Sequence, residues 1–296
     1  MTEPLSRLHI EMFFDTDSST CSYVVVDQAS GCAAIIDPVL DYDAASGTVT
    51  TVSADKMLQY IAGQKLSVQW ILETHAHADH LSAAHYLKLQ CGATIAIGEG
   101  IKKVQQTFKV VFNLADTELQ ARGDYFDKLF ADNECFRIGQ FEGKVLSTPG
   151  HTNDSVSYLI GGHLFVGDSL FMPDSGTARC DFPGGDAHVL FRSVQRIYQL
   201  PDETCIYICH DYQPEGRELK YKTTVAEQKQ LNIHIRQDTT EQEFVQKREA
   251  RDQTLAVPKL IYPAVQVNIR GGQLPAKESN DERYIRIPLQ VQPPLL

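Results

Sequence analysis

The stretch His75-Ala76-His77-Ala78-Asp79-His80 constrains this chain more than any other. It sets three imidazoles and a carboxylate side by side with only alanines between them, directly behind Thr74. Before it, Leu66 to Leu72 is apolar and β-prone. After it, Leu81, Ala84 and Leu87 recur at helical spacing and predict a helix over 81–89. The cluster is therefore expected on a strand-to-helix loop, where a rigid scaffold displays functional side chains. Imidazole and carboxylate are metal ligands, and alanine leaves both room to converge. A polar loop of individually satisfied histidines is the bland alternative. Four such groups packed together repel one another unless a cation compensates, which favours a metal.

The pattern T-H-x-H-x-D-H resembles the signature of the metallo-β-lactamase superfamily. The resemblance implies three later ligands: a histidine after a Pro-Gly turn, an aspartate at a strand end and a late histidine. The chain carries Thr148-Pro149-Gly150-His151-Thr152, Val166-Gly167-Asp168-Ser169 and Ile208-Cys209-His210-Asp211-Tyr212 in that order. The implied fold is of the α/β class, a four-layer αββα sandwich with the site at the sheet edge between its halves.

Composition narrows the class. With 43% hydrophobic and 22% charged residues, a chain of 296 residues can bury a sizeable core without staples. A net charge of −11 argues against a nucleic-acid partner. No apolar run approaches the roughly 20 residues that span a bilayer, so no membrane partner is expected. Met1 to Arg7 lacks an apolar core, so no secretory signal is expected. The seven cysteines are scattered, odd in number and without a CxxC pair, which fits a reduced, cytoplasmic chain.

Residues 8–14 read as a strand. Cys21–Val26 and Cys32–Ile36 are expected to pair around Ser30-Gly31, ending at Asp37-Pro38. Met57, Leu58 and Ile61 predict a short amphipathic helix, and Ala93 to Ile97 a buried strand. The acidic stretch 113–134 lacks the spacing and central glycine of a calcium loop. It is expected as a solvated loop or short helix. Val145-Leu146-Ser147 is a strand running into Pro149-Gly150. Ser155–Ile160 and His163–Val166 flank Gly161-Gly162, a two-residue hairpin signal that delivers Asp168 to a strand end. Asp186 can cap a helix carrying Leu190, Phe191, Val194, Ile197 and Tyr198, stopped by Pro201. Cys205–Ile208 is a strand that places His210 just past its end. Thr224-x-x-Glu227 and Thr240-x-x-Glu243 are capping boxes, each opening a helix. From Lys259 to Pro263, and again from Ile287 to Leu296, an extended tail is expected. This order suggests a two-sheet core with helices outside, divided into a main domain at 1–253 and a C-terminal extension at 254–296 packed on it.

The resemblance allows two metal arrangements. In the dinuclear one, His75, His77 and His151 hold one zinc, Asp79, His80 and His210 hold a second, and Asp168 bridges them. Paired cations would generate a nucleophile at neutral pH and clamp an oxyanion. In the mononuclear one, His75, His151 and Asp168 form a facial triad on iron(II) with open positions. His77, Asp79, His80 and His210 then support it from outside the coordination sphere. Two flanking segments favour the second. Thr177-Ala178-Arg179-Cys180-Asp181-Phe182 and His210-Asp211-Tyr212 resemble the persulfide dioxygenases, a branch close to glyoxalase II. The tail Val265 to Gly272 resembles bacterial members described as β-lactamase-like hydrolases. This resemblance implies an iron(II) enzyme that oxidises glutathione persulfide with O₂ to sulfite and glutathione. Arg179, Tyr212 and Arg217 are the candidate contacts for the anionic substrate, with a surface role open for Arg217. Cys180 can equally be a packing residue or a sulfur-handling one. A homodimer is implied as well. The alternative is a zinc thioester hydrolase of the glyoxalase II type. A degenerate fold acting as a binding module would have lost ligand positions, and all seven are present.

Overall fold

Every residue of the second strand, Thr20–Asp27, is buried, and this sets the layering of the molecule. Its side chains alternate between two cores: Tyr23 and Val25 enter one, Val24 and Val26 the other. A strand covered on both faces reads as a continuous apolar run. The computed structural model describes residues 7–291. The segment read as lacking a leader and the end of the proline-rich tail lie largely or wholly outside them.

The first half opens with β1 (Leu8–Asp15), β2 (Thr20–Asp27), β3 (Cys32–Ile36), β4 (Val39–Asp43) and β5 (Thr48–Thr50). It continues with α1 (Val52–Gly63), β6 (Ser67–Leu72), β7 (Leu81–Ser82), α2 (Ala84–Cys91), β8 (Thr94–Gly98), α3 (Ile101–Val111) and β9 (Lys128–Phe130). The second half comprises β10 (Cys135–Ile138), β11 (Phe141–Ser147), β12 (Val156–Ile160), β13 (His163–Phe165), α4 (Ala187–Ile197), β14 (Cys205–Tyr207) and β15 (Lys222–Thr224). Three helices follow: α5 (Val225–Leu231), α6 (Glu241–Asp252) and α7 (Ile261–Asn268).

One sheet runs β1-β2-β3-β6-β8-β9, the other β10-β11-β12-β13-β14-β15. Tyr23, Val25, Ile36 and Leu72 of the first meet Val145, Val156, Tyr158 and Phe165 of the second in the central core. The outer face of the first sheet packs on Met57, Leu87, Val104 and Phe108 of its helices, the second on Leu190, Val194, Val225 and Phe244. This is the αββα sandwich. The β12–β13 turn is the expected two-residue hairpin, with Ile160 opposite His163 and positive φ at both glycines. Asp186 caps α4 by accepting from the Val189 N–H, and both capping boxes are formed.

Three local expectations need correction. The helix after the histidine cluster starts at Ala84, because Leu81-Ser82 pairs with β4 first. The acidic stretch 113–134 is neither a helix nor merely solvated: Leu114, Leu119 and Phe126 are buried, and β9 edges the first sheet. The tail is not extended at Lys259 to Pro263. Helix α7 begins at Ile261, and Pro263 lies in its first turn, where no helical acceptor awaits its missing N–H. Val265, Val267 and Ile269 carry this helix into the first core.

Candidate metal centre

The loop Glu73–His80 leaves the buried end of β6 and is fixed from both halves. Asp37, just past β3, accepts hydrogen bonds from the Thr74 N–H at 2.7 Å and its hydroxyl at 2.9 Å. Asp154 accepts from the Ala76 N–H at 2.8 Å. Thr74 Oγ1 also lies 3.0 Å from His75 Nδ1. The hydroxyl's one proton goes to Asp37, so Nδ1 must donate to it, and the lone pair is left on His75 Nε2. His151 Nδ1 likewise donates to the Arg179 carbonyl at 2.7 Å, which frees its Nε2. A hydrogen bond on one ring nitrogen fixes the tautomer that ligates through the other.

Two glycines bring the later ligands in. A Cβ on Gly150, φ +137°, would meet the Leu190 backbone at 2.4 Å, so only glycine lets the His151 turn lie against α4. A Cβ on Gly167, φ +52°, would strike Thr74 Oγ1 at 2.6 Å. Asp168 thereby reaches the histidines: its Oδ2 is 3.9 Å from His75 Nε2 and 3.6 Å from His151 Nε2. The ligand atoms of His75, His151 and Asp168 form one compact group. Beside it, His77, Asp79, His80 and His210 form a second. There His210 Nε2 lies 3.1 Å from Asp79 Oδ2 and 3.3 Å from Asp168 Oδ1. The Thr20 hydroxyl sits 3.3 Å from Nδ1 of both His80 and His210, where an isolated bridge joins Thr20 to His210. His77 Nε2 is turned the other way, to within 3.0 Å of Asp37 Oδ1, although the pair lacks hydrogen-bond alignment.

Among the described residues, His75 Nε2, His80 Nε2, Asp79 Oδ2, Asp168 Oδ1 and His210 Nε2 are buried without a hydrogen-bond partner. Each such atom costs on the order of 1–3 kcal/mol, and cations held at the two groups would relieve them. Protonation states agree. Burial, reinforced by neighbouring imidazoles, holds His75 and His77 well below the usual histidine range, so both are neutral. Burial raises Asp168. Asp79 is depressed although burial opposes it, because His210 and His80 outweigh that effect. The donor set is one that metals take up.

A cavity of about 570 Å³ opens over His151, Asp168 and Asp79. Arg179 and Tyr212 line it, with Phe171, Phe182, His234 and Leu255. The Arg179 guanidinium is clamped by Asp181 at 2.6 and 2.7 Å and lies over the Phe182 ring. Arg217 is a correction. It is absent from the cavity wall, and both edges of its guanidinium are taken by Asp174 and Asp211, so it steadies the His210–Tyr212 loop instead. Cys180 is buried, and the carboxylates around it add to that burial in raising its thiol far above the ordinary range. This suits packing. The sequence reading missed Arg248 and Arg251, which also line the cavity from α6. It missed Asn268 too. From α7, its Nδ2 donates to the carbonyls of His77 and His80, each at 2.8 Å, and its Oδ1 accepts from the Ser82 N–H at 2.7 Å. Asn268, one of two polar residues in the otherwise apolar run Ala264 to Ile269, was the available signal.

The profile of the metallo-beta-lactamase superfamily matches residues 16–210, and the chain belongs to that superfamily. It is 51% identical over 277 residues to the "Beta-lactamase hydrolase-like protein" of Xylella fastidiosa, covering 94% of this chain but only 64% of that longer relative. It is 28% identical to the human "Persulfide dioxygenase ETHE1, mitochondrial", covering 89% of this chain and 88% of that one. The crystal structure of ETHE1 from Myxococcus xanthus superposes with a TM-score of 0.71 at 32% identity, covering 90% of this chain and all of that one.

Proposed function

We propose that this protein is a mononuclear iron(II) persulfide dioxygenase, which oxidises glutathione persulfide with O₂ to sulfite and glutathione. One persulfide, one O₂ and one water give sulfite, glutathione and two protons. The observation that supports the reading is the compact group that the ligand atoms of His75, His151 and Asp168 form by themselves, while His77 groups with Asp79, His80 and His210. Two histidines and one carboxylate would hold the metal. Bound iron(II) supplies O₂ chemistry with open coordination positions. The chain's own residues then do the rest. His75 and His151 present Nε2 in fixed tautomers, Phe171 and Phe182 exclude water, and Arg179, Tyr212 and Arg251 receive the anionic body of the substrate. The likeness to the Myxococcus ETHE1 structure supports this reading.

A second reading has its own observation. His77, Asp79, His80 and His210 gather closely enough for a second cation. That favours a zinc thioester hydrolase of the glyoxalase II type, as does the hydrolase-like description of the Xylella relative. Matched iron and zinc preparations, purified without oxygen, separate the two. The iron form is expected to consume O₂ and produce sulfite from glutathione persulfide, and the zinc form to be inert, since zinc has no redox chemistry. Hydrolysis of S-lactoylglutathione by the zinc form, with no sulfite from the iron form, would sink the proposal. The proposal extends to a cytoplasmic homodimer with residues 254–296 as an extension. All seven cysteines are free, as a reduced compartment requires, and no helix among the described residues is long and apolar enough to cross a membrane. Sedimentation velocity and cell fractionation test those two points.

A further inference from the structure

We infer that Asn268 is a positioning residue for the metal loop, and that helix α7 thereby sets metal affinity from behind the site. The inference rests on the metal-dependent reading and concerns the group of His77, Asp79, His80 and His210, whose ligand atoms lie close enough together to hold a cation.

Asn268 is 3% exposed and flanked by Val267 and Ile269, both in the first core. An apolar residue would suit that helix face better by packing alone. The amide is instead fully used: two N–H groups on two carbonyls and its oxygen on one N–H. Those carbonyls belong to His77 and His80, and the N–H to Ser82. Upstream, Asp154 fixes the loop at Ala76. Downstream, the β4–β7 pairing begins at Leu81. Between them the backbone that carries His77, Asp79 and His80 is held by Asn268. The following turn presses on the loop's exit. A Cβ on Gly272, φ +81°, would approach Ser82 O to 2.8 Å and His85 N to 3.0 Å, so only glycine permits this contact. Asn268 and Gly272 together brace residues 77–85 against the first core. His75 is fixed independently through Thr74 and Asp37, and His151 through Arg179. The brace therefore acts on His77, Asp79 and His80.

The test uses the full chain, stripped of metal, with zinc ion as the probe in competition with a chromophoric chelator. Asn268→Ala leaves two buried carbonyls and an N–H without partners. Asn268→Ser retains a donor for one of them and keeps the test available should the alanine variant misfold. Gln266→Ala is the control. It removes half-buried hydrogen bonds of the same helix to Tyr262 and Arg286, away from the loop. The expected result is zinc affinity about tenfold weaker in Asn268→Ser, the lower end of the range for groups that orient ligands. Gln266→Ala should lower Tm with wild-type zinc affinity. If Asn268→Ser loses Tm as Gln266→Ala does but binds zinc like the wild type, Asn268 only anchors the helix and the inference is wrong. If the wild-type chain takes up no zinc, the metal-dependent reading fails and the inference falls with it.

Discussion

Replacing Asp37 by asparagine should disarm His75 without touching it. At neutral pH the Asp37 carboxylate accepts from both the N–H and the hydroxyl of Thr74, although burial raises its pKa to about 6. With the Thr74 proton committed to Asp37, the hydroxyl can only accept from His75 Nδ1. An asparagine keeps the shape but can accept on one side only. If its oxygen keeps the Thr74 N–H, its NH₂ faces the hydroxyl and reverses that bond. Thr74 then donates to His75 Nδ1, and the ring proton moves to Nε2, the atom needed for a metal. Restoring the working tautomer costs the hydrogen bond to a charged acceptor, about 1.5–3 kcal/mol. At 1.4 kcal/mol per tenfold, metal affinity should fall by about 10- to 100-fold. Chelator competition at pH 7.5, with circular dichroism as a check on folding, measures this. A folded Asp37→Asn protein with unchanged affinity would refute the tautomer argument.

Three other perturbations follow from the same geometry. Asp168→Ala should abolish metal retention while the fold survives, since Asp168 is the one anion of its ligand group; full metal content by elemental analysis would contradict the assignment. Arg179→Ala should lower kcat/KM by about tenfold, mainly through KM, if the guanidinium receives the substrate's charge; an unchanged KM would place it outside the substrate contact. His234 is held at a pKa of about 4, first by burial and then by Arg248, with the Thr177 N–H donating to its neutral Nδ1. Its pKa is lower folded than unfolded, so the unfolded chain binds the proton more tightly. Its contribution is therefore complete above about pH 6.5 and fades as pH falls toward 4, by about 3 kcal/mol in total. In urea titrations, His234→Gln should lose less stability than the wild type between pH 7 and 4.5. Equal losses would show that the ring is not buried neutral.

The sequence carried the groups that chemistry demands in a particular type and order. His75, His151 and Asp168 could be marked as candidates because metal chemistry admits few residue types, and strand-end punctuation such as Pro149-Gly150 brings them into one group. The two capping boxes were legible for the same reason, each being a local pattern with a local effect. What escaped depends on contacts between distant segments. Arg217 has the charge to bind an anion, and only the fold shows Asp174 and Asp211 already holding it. The acidic stretch 113–134 looked solvated because its buried Leu119 and Phe126 follow neither helical nor strand periodicity. Helix α7 was hidden by Pro263, a helix breaker in the interior but neutral in a first turn. Asn268 is an unremarkable polar residue until α7 is laid beneath the metal loop.

The placement of α7 also orders events in synthesis. Its apolar residues complete the core of the first half, yet Asn268 stands 191 positions after His77. At ribosomal rates of about 5–20 residues per second, that interval takes roughly 10–40 s. Throughout it the nascent first half has its strands, its own three helices and its histidines but lacks the helix that completes its core and braces its loop. Contacts of this sequence separation form late and leave apolar surface open to wrong partners meanwhile. Until residue 272 has emerged, residues 77–85 lack their brace, so damage to α7 should be felt as failed maturation of a loop formed long before it.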